Sequence, residues 1–164
     1  MQIIKAVEES EAFQEWKAKH TDAQLMYIFA MHGADGFSGW QVGYAEGDNV
    51  TPFLYEGERV SKGETEEMFK KPGESALPLT LSEAQIPVEE AMQQAQKEQQ
   101  EKYPKEKGER AICILQNLKK YGIVWNITFI TYTMKTLNIK VDARNGDILV
   151  GQLLSLFDIH PGKK

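Results

Sequence analysis

The side chains able to do chemistry are few and scattered. His32 stands three residues before Asp35, and a carboxylate that orients an imidazole is half of a general-base arrangement. No nucleophile or oxyanion donor accompanies the pair, so a polar strand end beside an ordinary turn aspartate is the better reading. His20 falls at a helix end, where the helix dipole alone accounts for it, and His160 falls in the tail; three histidines so far apart make no metal-ligand pattern. Cys113, the only cysteine, could be a reactive thiol, but its place in an alternating apolar strand marks a small buried packing residue. Asp142-Ala143-Arg144-Asn145-Gly146-Asp147 has the look of a calcium loop without its ligand spacing or distal glutamate, and a hairpin turn is the better account. Trp40, Tyr44, Trp125 and Phe129 could wall a ligand groove, yet they are also what a covering helix needs beneath it, and core is favoured. No glycine-rich loop follows a strand and opens a helix, so nucleotide binding has no support. No catalytic, cofactor-binding or metal-binding residue is assigned, no cofactor is expected, and the binding residues are unknown.

The elements that must position these groups follow from periodicity. Ser10 is an N-cap and Glu11 sits in a first turn, where negative charge suits the dipole; Phe13 and Trp16 then share a face, which predicts a helix over residues 10–20. Residues 24–32 form a near-continuous apolar run, read as a strand substantially buried on both faces. After the glycine-punctuated turn over residues 33–39, Trp40, Val42 and Tyr44 alternate as the second arm of a hairpin. Gly47-Asp48-Asn49 leads into a strand over residues 51–55, with Pro52 implying an edge or strand start, and Glu56-Gly57-Glu58 turns again. Residues 62–71, carrying Met68 and Phe69, predict one or two helical turns. Leu77, Leu79 and Leu81 then alternate as an extended, packed arm.

In the second half, a helix that starts at Ser82 or at Ile86-Pro87 and runs to Tyr103 carries Val88, Ala91, Met92, Ala95 and Tyr103 on one stripe. Its glutamine-rich stretch, residues 93–100, is expected to be a solvated face. Strands are predicted over residues 110–118, 123–134 and 137–141. In the second of these the apolar phase switches from Trp125, Ile127, Phe129 to Ile130, Tyr132, Met134, as a β-bulge near Phe129 or burial on both faces would produce. Asn145-Gly146 is the best short turn signal, since both residues tolerate positive φ. Ile148 to Val150 returns, and Leu153, Leu154, Leu156 and Phe157 close the structure.

The halves match in order. Trp40-x-Val42-x-Tyr44 reappears as Trp125-x-Ile127-x-Phe129, displaced by about 85 positions, which is the signature of a duplication. Glu56-Gly57-Glu58 corresponds to Asn145-Gly146-Asp147, and Phe69 to Phe157. Ile86-x-x-Glu89-Glu90-Ala91-x-x-x-Ala95, then Val124-Trp125-x-Ile127-x-Phe129, then Leu137-x-Ile139-x-Val141-Asp142-Ala143-x-Asn145-Gly146-Asp147-Ile148-Leu149 resembles the PepSY domain. The resemblance covers the second half, and the first half looks like a diverged copy with its turn weakened to Tyr55-Glu56-Gly57. It implies a cystatin-like shape, one helix across a curved antiparallel sheet, and a non-catalytic role of the kind proposed for such domains in regulating peptidases.

The chain has 164 residues, 41% hydrophobic and 26% charged, which is enough for one compact domain or two small ones. A net charge of −5 with no basic cluster beyond residues 102–107 argues against nucleic acid. No run approaches the ~20 apolar residues of a membrane span and no signal peptide is evident, which slightly favours the cytoplasm while leaving the compartment unknown. The reading is an α+β protein of two tandem PepSY-like, cystatin-like units: residues 1–72, a linker over residues 73–85, and residues 86–164. It is expected to be a non-enzymatic protein-binding or regulatory module with an unidentified protein partner, the alternative being a small-ligand receptor or enzyme on a nuclear-transport-factor-like cone-shaped sheet. A homodimer through sheet contact is a third expectation. A deep cavity holding His32 would favour the ligand reading, and a filled core with an uncovered, polar edge the first.

Overall fold

The computed structural model describes residues 1–68 and 76–155. Two short helices come first, α1 (Gln2–Glu9) and α2 (Glu11–Lys19). The sequence reading passed over α1, in which Ile3, Ile4 and Val7 fall on one buried face within barely two turns. Ser10 both ends α1 and begins α2: its hydroxyl donates to the Val7 carbonyl at 2.6 Å and accepts from the Phe13 amide at 3.2 Å. The cap predicted from sequence is therefore the hinge between two helices.

The strands are β1 (Gln24–Gly33), β2 (Gly36–Glu46), β3 (Asn49–Glu56), β4 (Arg59–Lys62), β5 (Glu66–Glu67), β6 (Ala76–Leu77), β7 (Gly108–Leu118), β8 (Gly122–Thr131), β9 (Lys135–Asp142) and β10 (Ile148–Ser155). Among the described residues all belong to one open antiparallel sheet of ten strands, in the order β10-β9-β8-β7-β1-β2-β3-β4, with β5 on β3 and β6 on β7. The third α-helix among the described residues, α3 (Val88–Lys102), packs on β8, β9 and β10, while α1 packs on β2 and β3 and α2 on β4. The architecture is α+β, with the helices on one face.

Several expectations need correction. Residues 62–68 are not helical: β4 runs to Lys62, β5 pairs with β3, and the Met68 amide donates to the Asp48 carbonyl. Phe69, Leu156, Phe157 and His160 lie outside the described residues. Pro52 sits inside β3 rather than at its start; its carbonyl accepts from Gly63 at 2.7 Å, so its missing N–H falls on the side where β4 has already ended. Leu77, Leu79 and Leu81 do not share a face. Leu79 is buried and its amide donates to the Leu25 carbonyl, while Leu77 is exposed.

The phase switch in β8 does not occur. Ile123, Trp125, Ile127, Phe129 and Thr131 keep one buried face to the end of the strand, and Tyr132 and Met134 lie beyond it in the turn. The irregular register is on β7, between Gly108 and Arg110, so the bulge belongs to the partner strand. Pro87 is the cap of α3 rather than its first residue, and only Gly146, not Asn145, has positive φ in the last hairpin. β1 is fully buried on one face, through Met26, Ile28 and Ala30, and only partly on the other.

The core lies between helices and sheet. Phe13 and Trp16 of α2 meet Phe53 edge-on with ring centroids 5.4 and 5.3 Å away, and Phe13 lies 4.8 Å from Tyr44. In the second half Trp125, Ile127, Leu137, Ile139 and Val141 are wholly buried beneath Val88, Ala91, Met92 and Ala95. The small stripe lets α3 lie close to the sheet.

Candidate functional site

The residues singled out for chemistry are kept apart. His32 follows the buried Ala30 by two positions on β1, and its ring meets Phe37 edge-on with centroids 4.8 Å apart. Asp35 lies in the turn beyond it, exposed. His32, Asp35 and Ser38 share a surface depression of about 410 Å³ with Glu109 and Arg110, but none of the first three is hydrogen-bonded to another. His20 ends α2, stacked on Trp16 at 4.6 Å and with Nδ1 3.0 Å from the Glu46 carboxylate. Among the described residues no group of three or more His, Cys, Asp or Glu could hold a metal ion.

Cys113 is fully buried on β7 between Ala30 and Ile127, and burial pushes its thiol up to about 12. The Asp142 carboxylate is taken up within the hairpin: Arg144 Nε and Nη2 each donate to it at 3.0 Å, and the Arg144 amide at 2.9 Å. These bonds hold its carboxyl below the usual carboxylate range. Asn145 accepts from the Asp147 amide, which completes an ordinary turn.

The groove aromatics are mostly core. Tyr44, Trp125 and Phe129 are buried and Trp40 is half-buried. The Trp125 indole donates to the Ile86 carbonyl at 2.8 Å, and the amides of Gln85 and Ile86 both donate to the Ala143 carbonyl. The segment entering α3 is thereby tied to the sheet. The Tyr44 hydroxyl donates to Glu8 of α1 at 3.2 Å, and burial together with that carboxylate raises its pKa. Gln99 departs from the expected solvated face: it is buried and its amide donates to the Tyr103 carbonyl.

The arrangement best suited to recognition is the sheet face turned away from the helices. There β1 and β7, which join the first four strands to the last four, carry Tyr27, Phe29 and Met31 beside Ile112 and Ile114, all only partly buried and outside the main core. The Tyr27 ring occupies the space beside Gly43, where a Cβ would fall 2.0 Å from it. Burial and the nearby Glu66 raise its phenol pKa. Beyond this apolar centre runs a polar ladder of three amides and an ammonium: Asn126 donates to Gln116 at 2.9 Å, Asn138 to Asn126 at 2.6 Å, and Lys140 Nζ to Asn138 at 2.6 Å. An antiparallel sheet with one covered face normally turns polar residues to water on the other, and here the middle of that face is aromatic and aliphatic instead. Simple alternation hid it, because a run apolar at every position reads as buried on both sides.

At the sheet ends, β4 is four residues long and mostly exposed, and β10 exposes Leu149 and Leu154 along the opposite margin. No described helix is long and apolar enough to cross a membrane.

No family model matches the chain, and no curated protein does. Among solved structures, a protein of Clostridium difficile 630 provisionally described as a lipoprotein superposes with a TM-score of 0.57 at 20% identity, covering 87% of this chain and 90% of that one. The likeness is one of fold.

Proposed function

We propose that the chain is a non-catalytic protein-binding module of two tandem PepSY-like, cystatin-like units, residues 1–72 and 86–164, which takes a protein partner on the sheet face opposite its helices. The observation that carries this is the partly exposed apolar centre made by Phe29, Met31, Ile112 and Ile114 on a face that no described helix covers. The order of elements supports the tandem reading: helix, then a four-strand meander, on either side of the β1–β7 pair. The resemblance to PepSY domains puts a peptidase first among candidate partners.

A ligand pocket between helix and sheet has less to recommend it. Trp125, Leu115, Ile127 and Phe53 fill that space without solvent exposure, and the depression beside His32 opens at the surface between hairpins. The test is affinity capture with the full chain from its source cell, alongside Phe29→Lys, with sizing of both proteins. Partner capture that is lost in the Phe29→Lys variant, with folding retained, supports the reading. An unchanged captured set, or a tight self-association that consumes the face, overturns it.

A further inference from the structure

The β8–β9 hairpin tip is built inside out. In Thr131-Tyr132-Thr133-Met134 the two threonines bond inward: Thr133 donates to Glu106, its hydroxyl lies 3.0 Å from that of Thr131, and Thr131 Oγ1 accepts from the Lys135 amide at 3.1 Å. Lys135 Nζ closes the latch on Glu106 at 3.0 Å. The Tyr132 amide donates to the Lys107 carbonyl and the Met134 amide to the Thr131 carbonyl, so the backbone of the tip is also satisfied. The apolar side chains are what remains outside: Tyr132 is 69% and Met134 55% exposed, with Ile130 at 38%.

Met134 adopts φ +60, a left-handed conformation that costs a side chain of its size about 1 kcal/mol or more. Folding gains nothing from placing a long apolar residue there in water. Leu154, paired across β9 with Thr136, which itself pairs with Ile130, extends the same corner.

The charges around the tip run against those of the whole chain, which is net negative. In residues 105–110 three exposed cations, Lys105, Lys107 and Arg110, stand against Glu109, since Glu106 is taken up by Lys135. None of the three pairs with a described carboxylate, and Arg110 lies directly opposite Ile130 in the sheet. Aromatic and thioether side chains beside unneutralised lysines match the chemistry of an anionic lipid surface, where the apolar groups enter the headgroup layer and the cations meet phosphates. We propose that this hairpin tip docks the protein on an anionic lipid surface, with Tyr132 and Met134 inserting and Lys105, Lys107 and Arg110 holding the headgroups. Arg110 stands two residues from Ile112 on the same sheet face, so the tip adjoins the patch around Phe29. Tyr132 and Met134 lie beyond the strand end, and Phe29→Lys, which should spare vesicle binding, keeps this contact distinct from the protein-binding reading.

The test is flotation of the full chain with phosphatidylcholine vesicles made with and without phosphatidylserine. Binding is expected only to the anionic vesicles and is expected to weaken with salt. Loss of one cation, as in Lys107→Ala, should reduce partitioning about fivefold, and Tyr132→Ser with Met134→Ser should reduce it about tenfold or more. Both residues are exposed, so the melting temperature of the double variant should hold, and circular dichroism checks this. A Tyr132→Trp variant should shift its emission to the blue on the anionic vesicles. Failure to float with anionic vesicles, equal binding to neutral ones, or binding indifferent to the double substitution overturns the proposal. So would a tip substitution that spares vesicle binding while abolishing capture of a protein.

Discussion

Trp125 anchors the entry to α3, and Trp125→Phe measures that anchor. The indole is completely buried and its N–H donates at 2.8 Å to the Ile86 carbonyl, immediately before the helix cap. Phenylalanine keeps most of the apolar contact and removes the donor. The lost hydrogen bond, with the part-buried Ile86 carbonyl left short of a partner, costs about 1–2 kcal/mol. The missing ring atoms leave a void on the order of 30–40 Å³, which at about 24 cal/mol per Å³ adds about 1 kcal/mol. The sum, about 2–3 kcal/mol, corresponds to a fall in melting temperature of roughly 4–12 °C for a chain of this length. Urea titration should show a lower midpoint at unchanged slope, as expected when stability falls without a change in the surface exposed on unfolding. The effect should also be local. The Gln85 and Ile86 amides, bonded to Ala143, should exchange with solvent faster than those in β8. A loss below about 0.5 kcal/mol, within the range of an ordinary surface substitution, or unchanged exchange at both amides, would refute the assignment of the indole as the anchor.

Two further outcomes follow from the same geometry. Hydrogen bonds from Thr133 and Lys135 hold the Glu106 carboxyl below its ordinary range, and Arg144 does the same for Asp142. Carboxyls depressed in the folded state stabilise it above their unfolded pKa of about 4 and lose that contribution as pH falls through the folded values. Melting temperature should therefore drop on acidification below about pH 4, and Glu106→Gln should lower it at neutral pH while flattening the acid limb; an acid limb as steep as the wild type's would exclude the latch. Gly43→Ala should destabilise by about 1–3 kcal/mol because its Cβ would fall 2.0 Å from the Tyr27 ring. Combined with Tyr27→Ala the same change should cost little, and additive losses in a double-mutant cycle would show that the ring is not what crowds the site.

The strands were readable where alternation was clean. Leu137, Ile139 and Val141 form one buried row on β9, and Ala111, Cys113 and Leu115 another on β7, as their spacing implies. What escaped depended on partners far along the chain. Gln2–Glu9 is too short to announce a helix by itself, and Val7 gains its burial from the neighbouring helix and strands that it packs against. Residues 62–68 carry a charged pattern compatible with helical turns, but the open side of β3 recruits Glu66 and Glu67 as a strand. Ile130, Tyr132 and Met134 looked like a change of face because periodicity does not reveal where a strand stops. The apolar centre of the open sheet face was hidden for a related reason: Tyr27, Phe29 and Met31 are as apolar as the buried residues between them.

The strand order also governs how the molecule comes into being. Along the main path of the sheet every pairing except one joins consecutive strands through a short connection, and the exception is β1 with β7. During synthesis β1 can zip to β2 as soon as both have left the ribosome, but its other side must wait for β7, some eighty residues later. Through that interval the backbone from Tyr27 to His32 offers an unsatisfied hydrogen-bonding margin flanked by Ile28, Phe29 and Met31, the kind of surface on which nascent chains aggregate. The middle of the chain is therefore the stretch that needs shielding as it emerges, and the time taken to translate α3 is part of how long that margin stays open.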